Sequence, residues 1–183
     1  MADSLSFNFE HPDFFVAGAV GPPGQRVFHL QAGQGGETFA LRCEKQHVVA
    51  LADHLKELLA DLPPVAPDPG SRELREPVID QWTVGGLGLA YDADSDRVLV
   101  VCEELLVLEA GDDTPLTDAA LAEAMADVEN AQARIAVTRS QAAAFIATAE
   151  ELAQGGRARC PICGEPMDPA GHICPRSNGH RKH

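Results

Sequence analysis

Residues 48–62 read VVALADHLKELLADL, and their apolar side chains recur every three or four positions. The residues that would share one face of an α-helix are Val48, Leu51, Ala52, Leu55, Leu58, Leu59 and Leu62. Pro63 and Pro64 follow at once, and proline cannot continue a helix. The stretch therefore predicts an amphipathic helix that packs on a core and ends before Pro63.

A second stretch, AAAFIATAEELA at residues 142–153, repeats this spacing. It follows Thr138-Arg139-Ser140-Gln141, which has the form of a capping box because Gln stands three positions after Thr. Gly155-Gly156 ends it. The apolar positions of the two stretches coincide when the first is shifted by 94 residues, so that Val48 corresponds to Ala142. Either the match is a coincidence of two amphipathic helices, or the chain contains a degenerate repeat in which each helix follows strands.

Short runs of aromatic and β-branched residues, broken by Gly, Pro and Asp, surround the two helices. The predicted strands are residues 14–20, 26–30, 38–42, 80–91, 97–108 and 133–137. The first 43 residues are typical of an antiparallel meander, and Gly85-Gly86-Leu87-Gly88 predicts a bulge or a close backbone contact within a strand. The sequence thus predicts an α+β fold, with an antiparallel sheet from two strand-strand-helix-like halves and both helices on one face.

Charge divides the chain into two predicted domains. The net charge is −14, yet residues 157–183 carry five basic and two acidic side chains, so residues 1–156 carry −17. We therefore expect an acidic α+β domain at 1–156, with a proline-rich linker-like loop at 63–70 and an acidic insert at 109–130, and a separate tail at 157–183. An acidic body repels nucleic acid and anionic membranes.

The tail contains a pattern of metal ligands. It reads CPICG at residues 160–164 and GHICP at 171–175. Cys160 and Cys163 form a knuckle whose turn directs both sulfurs at one point, and His172 and Cys174 lie on the same side of an extended segment. One imidazole and three thiolates suit tetrahedral zinc. Because about 25 residues cannot build a core alone, zinc would supply the folding free energy of a small zinc-ribbon-like tail.

Two alternatives accompany this site. His180 lies six residues after Cys174 and is the other candidate for the imidazole ligand. A redox dithiol would need the Cys-x-x-Cys motif to open a helix, which Pro161 and the prolines after it disfavour. Four protein ligands leave no open coordination position for water, so the predicted zinc is structural rather than catalytic.

Other reactive side chains do not form a recognisable catalytic set. Cys43 and Cys102 lie in apolar runs and are predicted to be inert core residues. Glu103 and Glu104 are adjacent in a strand and would point to opposite faces of the sheet. The basic residues of the tail could form a docking patch or could simply be solvated: Arg157, Arg159, Arg176, Arg181 and Lys182.

Both ends of the chain resemble an actinobacterial family that is a domain of unknown function of about this length. The resemblance lies in FVAGAVGPPGQR at residues 15–26 and in CPICGEPMDPAGHICPRSNG at residues 160–179. It implies no established activity. Members of the family tend to be encoded beside a phosphoinositide-kinase-like protein and a histidine-phosphatase-like protein, which implies a shared pathway of phosphorylated small molecules.

Two functions of different classes fit these features. The first is a zinc-containing binding or adaptor protein without enzymatic activity, whose partner is the kinase-like or phosphatase-like neighbour. The second is an unrecognised hydrolase or transferase that acts on a phosphorylated metabolite. Nucleic-acid binding through the tail is disfavoured by the acidic body. No apolar run approaches the ~20 residues that cross a bilayer, and the first residues lack the features of a signal peptide, so we expect a soluble cytoplasmic protein.

Overall fold

The computed structural model describes residues 5–22, 24–70, 72–107 and 130–154, together with residues 160, 162, 163 and 174. In these segments the chain forms seven strands and two helices. The elements are β1 (Phe7–Phe9), β2 (Phe14–Val20), β3 (Val27–Gln34), β4 (Glu37–Cys43), α1 (Lys45–Ala60), β5 (Asp80–Asp92), β6 (Arg97–Glu104), β7 (Gln132–Thr138) and α2 (Arg139–Gln154).

Strands β2, β3 and β4 form the antiparallel meander that the sequence predicts. Gly35 and Gly36 connect β3 to β4 with positive φ angles of 61° and 92°. A two-residue hairpin with both central φ angles positive follows the right-handed twist of its strands, and glycine adopts that backbone without strain. The Gly-rich stretch therefore sets the register of this hairpin.

The long strand β5 joins the two halves of the sheet. Its first residues pair in parallel with β4, Ala40 opposite Asp80. Its later residues pair antiparallel with β6, and the register shifts by a bulge between Val84 and Gly86. The predicted bulge at the glycine cluster is thus confirmed, and it lies where β5 changes partner.

In the described part of the chain, the strand order is β1-β7-β6-β5-β4-β3-β2. The α+β class is confirmed, but the sheet is mixed rather than wholly antiparallel, because β4 pairs in parallel with β5 and β1 in parallel with β7. In addition, β1 does not belong to the N-terminal meander. Two parallel strands are connected by a long segment of chain rather than by a tight turn, so no local turn motif in the sequence predicts their pairing.

The repeat is visible in the order of the elements. Each half consists of three consecutive antiparallel strands followed by one helix, β2-β3-β4-α1 and β5-β6-β7-α2. Both helices have 16 residues, and their first residues are Lys45 and Arg139, again 94 positions apart. The halves therefore share one plan, with three strands where the sequence suggested two.

Both helices pack on the same face of the sheet and contribute to one core. In α1 the buried residues are Val48, Leu51, Ala52 and Leu55. In α2 the Phe145 ring stacks on Phe15 of β2, with 4.8 Å between centroids. Pairs of this kind gain about 0.5–1.5 kcal/mol beyond their buried area, so the contact anchors α2 to the edge of the sheet.

The sheet is strongly curled. Four strand steps separate β1 from β4, which would amount to about 19 Å across a flat sheet. Nevertheless the Phe7 ring on β1 stacks on Phe39 of β4, with centroids 4.5 Å apart, and the Trp82 indole N–H on β5 donates to the Leu5 carbonyl. The β1 end of the sheet therefore folds back over β4 and β5.

Several predicted features fall outside the described residues. All of the acidic insert except Asn130 lies there, and so does the predicted boundary between residues 156 and 157. Neither of the described helices is long and apolar enough to cross a membrane.

Candidate metal centre

The structure brings three of the four predicted metal ligands together. The Sγ atoms of Cys160, Cys163 and Cys174 all lie within 4.8 Å of one another. Around a tetrahedral zinc ion, with Zn–S bonds of about 2.3 Å, neighbouring sulfurs lie about 3.8 Å apart. The spacing of the three sulfurs therefore fits a single small ion.

The turn formed by the Cys-x-x-Cys motif favours the thiolate form of Cys160. The backbone N–H groups of Cys163 and Ile162 are directed at the Cys160 sulfur and stabilise its thiolate, which lowers the pKa of Cys160 to about 7. Cys160 and Cys174 are buried, and Cys163 is half-buried. Thiolates are the form in which cysteine binds a metal, so the turn favours the ligating state.

The remaining predictions for the tail concern residues outside the described part of the chain. These are the imidazole candidates His172 and His180 and the basic residues Arg157, Arg159, Arg176, Arg181 and Lys182. The described site thus consists of three sulfurs, and the identity of the fourth ligand stays a prediction.

Cys43 and Cys102 lie in the hydrophobic core of the body. Burial, more than any neighbouring charge, raises the pKa of each thiol to about 12. A thiol with such a pKa is almost entirely protonated at neutral pH and is a poor nucleophile. Both residues therefore behave as small apolar side chains.

The structure also contains a contact between a histidine and an aspartate that the sequence does not suggest. The Nε2 atom of His29 lies 2.7 Å from Oδ1 of Asp80, and His29 is only 4% exposed. Its Nδ1 atom is buried without a hydrogen-bond partner among the described residues. His29 and Asp80 are 51 positions apart and meet only because β4 and β5 are parallel neighbours, so no motif could have revealed the pair.

The two glutamates at the end of β6 have different surroundings. The Glu104 carboxylate accepts a hydrogen bond from the Ala131 N–H at 3.3 Å. Glu103 is exposed and lies beside Gly86 of β5. The arrangement fits the expectation that adjacent strand residues point to opposite faces.

These observations define an α+β protein with a mixed seven-stranded sheet and a three-cysteine candidate metal site. A family model described as "Protein of unknown function (DUF3090)" matches residues 7–174. The chain belongs to this family. The match begins at the first residue of β1 and ends at the third cysteine of the cluster. No curated protein and no solved structure matches the chain.

Proposed function

We propose that this protein is a zinc-containing binding or adaptor protein, in which the ion is structural and the body holds a ligand or partner. The observation that carries the proposal is the convergence of the Cys160, Cys163 and Cys174 sulfurs. Soft thiolate ligands favour zinc over hard cations such as Mg²⁺ and Ca²⁺. The donor set therefore fits zinc, with His172 as the expected fourth ligand.

The chemistry of the donor set supports architecture rather than catalysis. Three thiolates more than neutralise a divalent ion, so the ion would polarise a substrate weakly, and a fourth protein ligand would leave no position for water. The ion would instead hold the tail in a defined shape, because binding free energy at such sites is folding free energy.

Three histidines of the body make structural contacts within the fold. The His47 imidazole accepts the Glu44 N–H at the start of α1, and His54 contacts the Ala50 carbonyl one turn earlier in the same helix. His29 pairs with Asp80 beneath the sheet surface. These three imidazoles are engaged in contacts that stabilise helices and strands.

The zinc proposal predicts a specific number of protected thiols. In protein purified without chelator, we expect about one zinc per chain by inductively coupled plasma mass spectrometry. A thiol reagent should then modify none of the five cysteines in the zinc-loaded protein, three after chelation, and all five only after denaturation. Cys163→Ser should lose the zinc, whereas Cys43→Ala, a matched control in the core, should retain it.

The fourth ligand is tested by two parallel substitutions. If His172 ligates, His172→Ala weakens zinc retention during titration with a chelator, and His180→Ala does not. The reverse result would assign His180, while equal retention by both variants would mean that neither imidazole binds the ion. Protein that contains no zinc and shows no chelator-dependent thiols would refute the site.

The partner proposal follows from the family resemblance and from charge. We infer that the basic tail docks on the kinase-like or the phosphatase-like neighbour, in a pathway of phosphorylated small molecules. Size-exclusion chromatography of this chain mixed with each purified neighbour tests it directly. A complex with either neighbour that is lost in Cys163→Ser supports the adaptor role, and the absence of any complex at micromolar concentrations contradicts it.

A further inference from the structure

The connection from α1 to β5, of which the structure describes residues 61–70 and 72–79, passes from one face of the sheet to the other at the edge strand β2. We call this connection the strap. On the helix side, the Asp68 N–H donates to the Ser140 carbonyl at the start of α2. On the opposite face of the sheet, the Gln31 amide exchanges two hydrogen bonds with the backbone of Arg75, at 2.7 and 2.9 Å. The Leu74 side chain covers Gly18 between these points. Hydrogen bonds therefore hold the strap on both faces of the sheet.

A cavity of about 80 Å³ lies between the strap, β2 and α2. Phe14, Phe15 and Phe145 are among the residues that line it. Its volume is about half that of a cavity that admits a benzene ring (~150 Å³), so it has room only for a small polar group. A neighbouring groove of about 470 Å³ shares Arg72 and Thr148 with the cavity. A small molecule in the cavity would thus have room to extend into the groove.

Four charged side chains line this cavity, two of each sign: Asp13, Asp68, Arg72 and Arg75. The guanidinium of Arg75 lies 3.7 Å above the centroid of the Phe14 ring, which fixes its position. Within the described chain no carboxylate forms an ion pair with Arg75. Arg72 is 3.9 Å from Glu151, an exposed and weak pair.

The two acids keep acceptor capacity. Asp13 accepts the Gly35 N–H through Oδ2 at 2.8 Å, and Asp68 accepts the Gly70 N–H through Oδ1 at 2.7 Å. A carboxylate has about four acceptor positions, so one backbone amide leaves most of them open. The cavity thus offers acceptors for a cationic group as well as donors for an anionic one.

We propose that this cavity binds a small zwitterion, an α-amino acid with an apolar side chain. Its carboxylate would bind Arg72 and Arg75 and its ammonium group Asp13 and Asp68. Its side chain would extend into the neighbouring groove, which Val20, Leu74 and Leu152 line. A simple anion would meet two aspartates and a simple cation two arginines, each with an electrostatic penalty. The inference rests on the proposed binding function and names the class of ligand for it.

Calorimetry with the zinc-loaded full chain tests the charge requirement. The zwitterionic probe is L-phenylalanine. The comparison probes are 3-phenylpropionate and phenyl phosphate, which carry only negative charge, and 2-phenylethylamine, which carries only positive charge. We expect L-phenylalanine to bind at least about tenfold more tightly than each of the others, since each of them lacks one of the two charged groups that form charge-assisted hydrogen bonds with the cavity. Equal binding of either anion would overturn the zwitterion site.

Substitutions locate the binding. Arg75→Gln and Asp68→Asn should each weaken L-phenylalanine binding about tenfold. Asp68→Asn retains an oxygen that accepts the Gly70 N–H, so the strap should stay folded. Arg134→Gln, exposed on β7 away from the cavity, is the matched control and should not change the affinity. Equal affinities in all three variants would place the ligand elsewhere.

The outcomes separate the site from the broader function. If no probe binds to a folded chain that still retains zinc and its partner, the cavity inference fails and the adaptor function stands. If L-phenylalanine binds and mass spectrometry shows that the chain converts it to a product, the site stands and the non-enzymatic function fails.

Discussion

Gly85 shows how one residue determines the path of the sheet. A Cβ atom built on Gly85 would lie 2.7 Å from the Leu105 Cα and 3.0 Å from its nitrogen. The Leu105 N–H donates to the Thr83 carbonyl at 2.7 Å, so the two backbones approach closely where β5 leaves β4 for β6. The Leu105 backbone, which follows β6 directly and is held by this hydrogen bond, cannot move away as a side chain can.

We therefore predict that Gly85→Ala lowers the free energy of unfolding by about 1–3 kcal/mol, the usual cost of overpacking. Gly88→Ala in the same strand is the matched control, because its Cβ would meet only the Val101 Cβ at an ordinary 3.7 Å. Urea denaturation of both variants measures the difference. Equal stabilities would show that the β5–β6 bulge accommodates a methyl group.

At the scale of elements, a single turn joins both halves of the molecule. In the turn between β5 and β6, the Asp96 carboxylate accepts two hydrogen bonds from Arg139 at the start of α2, at 2.7 and 2.9 Å. Tyr91 donates to the same carboxylate at 2.6 Å, and Arg139 also donates to the Pro63 carbonyl after α1. The first turn of α2 is thereby tied to β5, β6 and the end of α1.

This connection should give part of the stability a pH dependence. The hydrogen bonds from Arg139, and then from Tyr91, hold the pKa of Asp96 below the ordinary aspartate value of 3.8. The folded chain favours the ionised carboxylate, so the stabilisation is fully present above that value and is lost as the pH falls through the lowered pKa. Asp96→Asn should therefore be less stable than the wild type at pH 6, and the difference should shrink below about pH 3.8.

Chemical denaturation between pH 2.5 and 7 measures this difference. Asp94→Asn, in the same turn, is the control, because its side chain does not pair with Arg139. A stability difference for Asp96→Asn that is constant over the whole range would show that the carboxylate contributes through shape rather than charge.

The elements also show what the sequence can predict. Helix α1 ends before Pro63 because of local chemistry, and α2 begins at a capping box in which Thr138 and Gln141 exchange hydrogen bonds. The residues that determine these helix ends lie within a few positions of them in the sequence. The parallel pairing of β4 with β5, in contrast, depends on 36 intervening residues, and the His29–Asp80 pair depends on that pairing.

The candidate metal site was predictable for the same reason. Cys160 and Cys163 are close in sequence, and only Cys174 had to be brought in from a short distance. The cavity under the strap combines β2, α2 and the connection between α1 and β5. No spacing in the sequence marks such a set, because its members meet only after the two halves of the chain have packed together.

At the scale of the whole molecule, the first strand completes the repeat. Strand β5 pairs in parallel with β4, the last strand of the first half. Strand β1 pairs in parallel with β7, the last strand of the second half. Strand β1 therefore pairs with β7 in the same way as β5 pairs with β4. By doing so, β1 covers the outer edge of β7, which would otherwise be available for pairing with another chain.

Deleting residues 1–10 should therefore both destabilise the protein and promote its self-association. The deletion removes buried Phe9, a loss on the order of 3–5 kcal/mol for a core phenylalanine, and exposes the outer edge of β7. It also removes the carbonyl that accepts the Trp82 N–H. Because Trp82 is the single tryptophan, its emission should shift to longer wavelength, while light scattering should report oligomers.

A peptide of residues 1–10 added to the truncated chain should restore the Trp82 emission and dissociate the oligomers. The same peptide with Phe7 and Phe9 replaced by Ser is the control and should do neither, because both rings contact Phe39 across the curled sheet. If the truncated chain stays monomeric with unchanged emission, β1 is dispensable and another segment protects the edge of β7. If both peptides restore the emission, backbone pairing with β7 is sufficient, and the aromatic contacts with β4 are not what holds β1 in place.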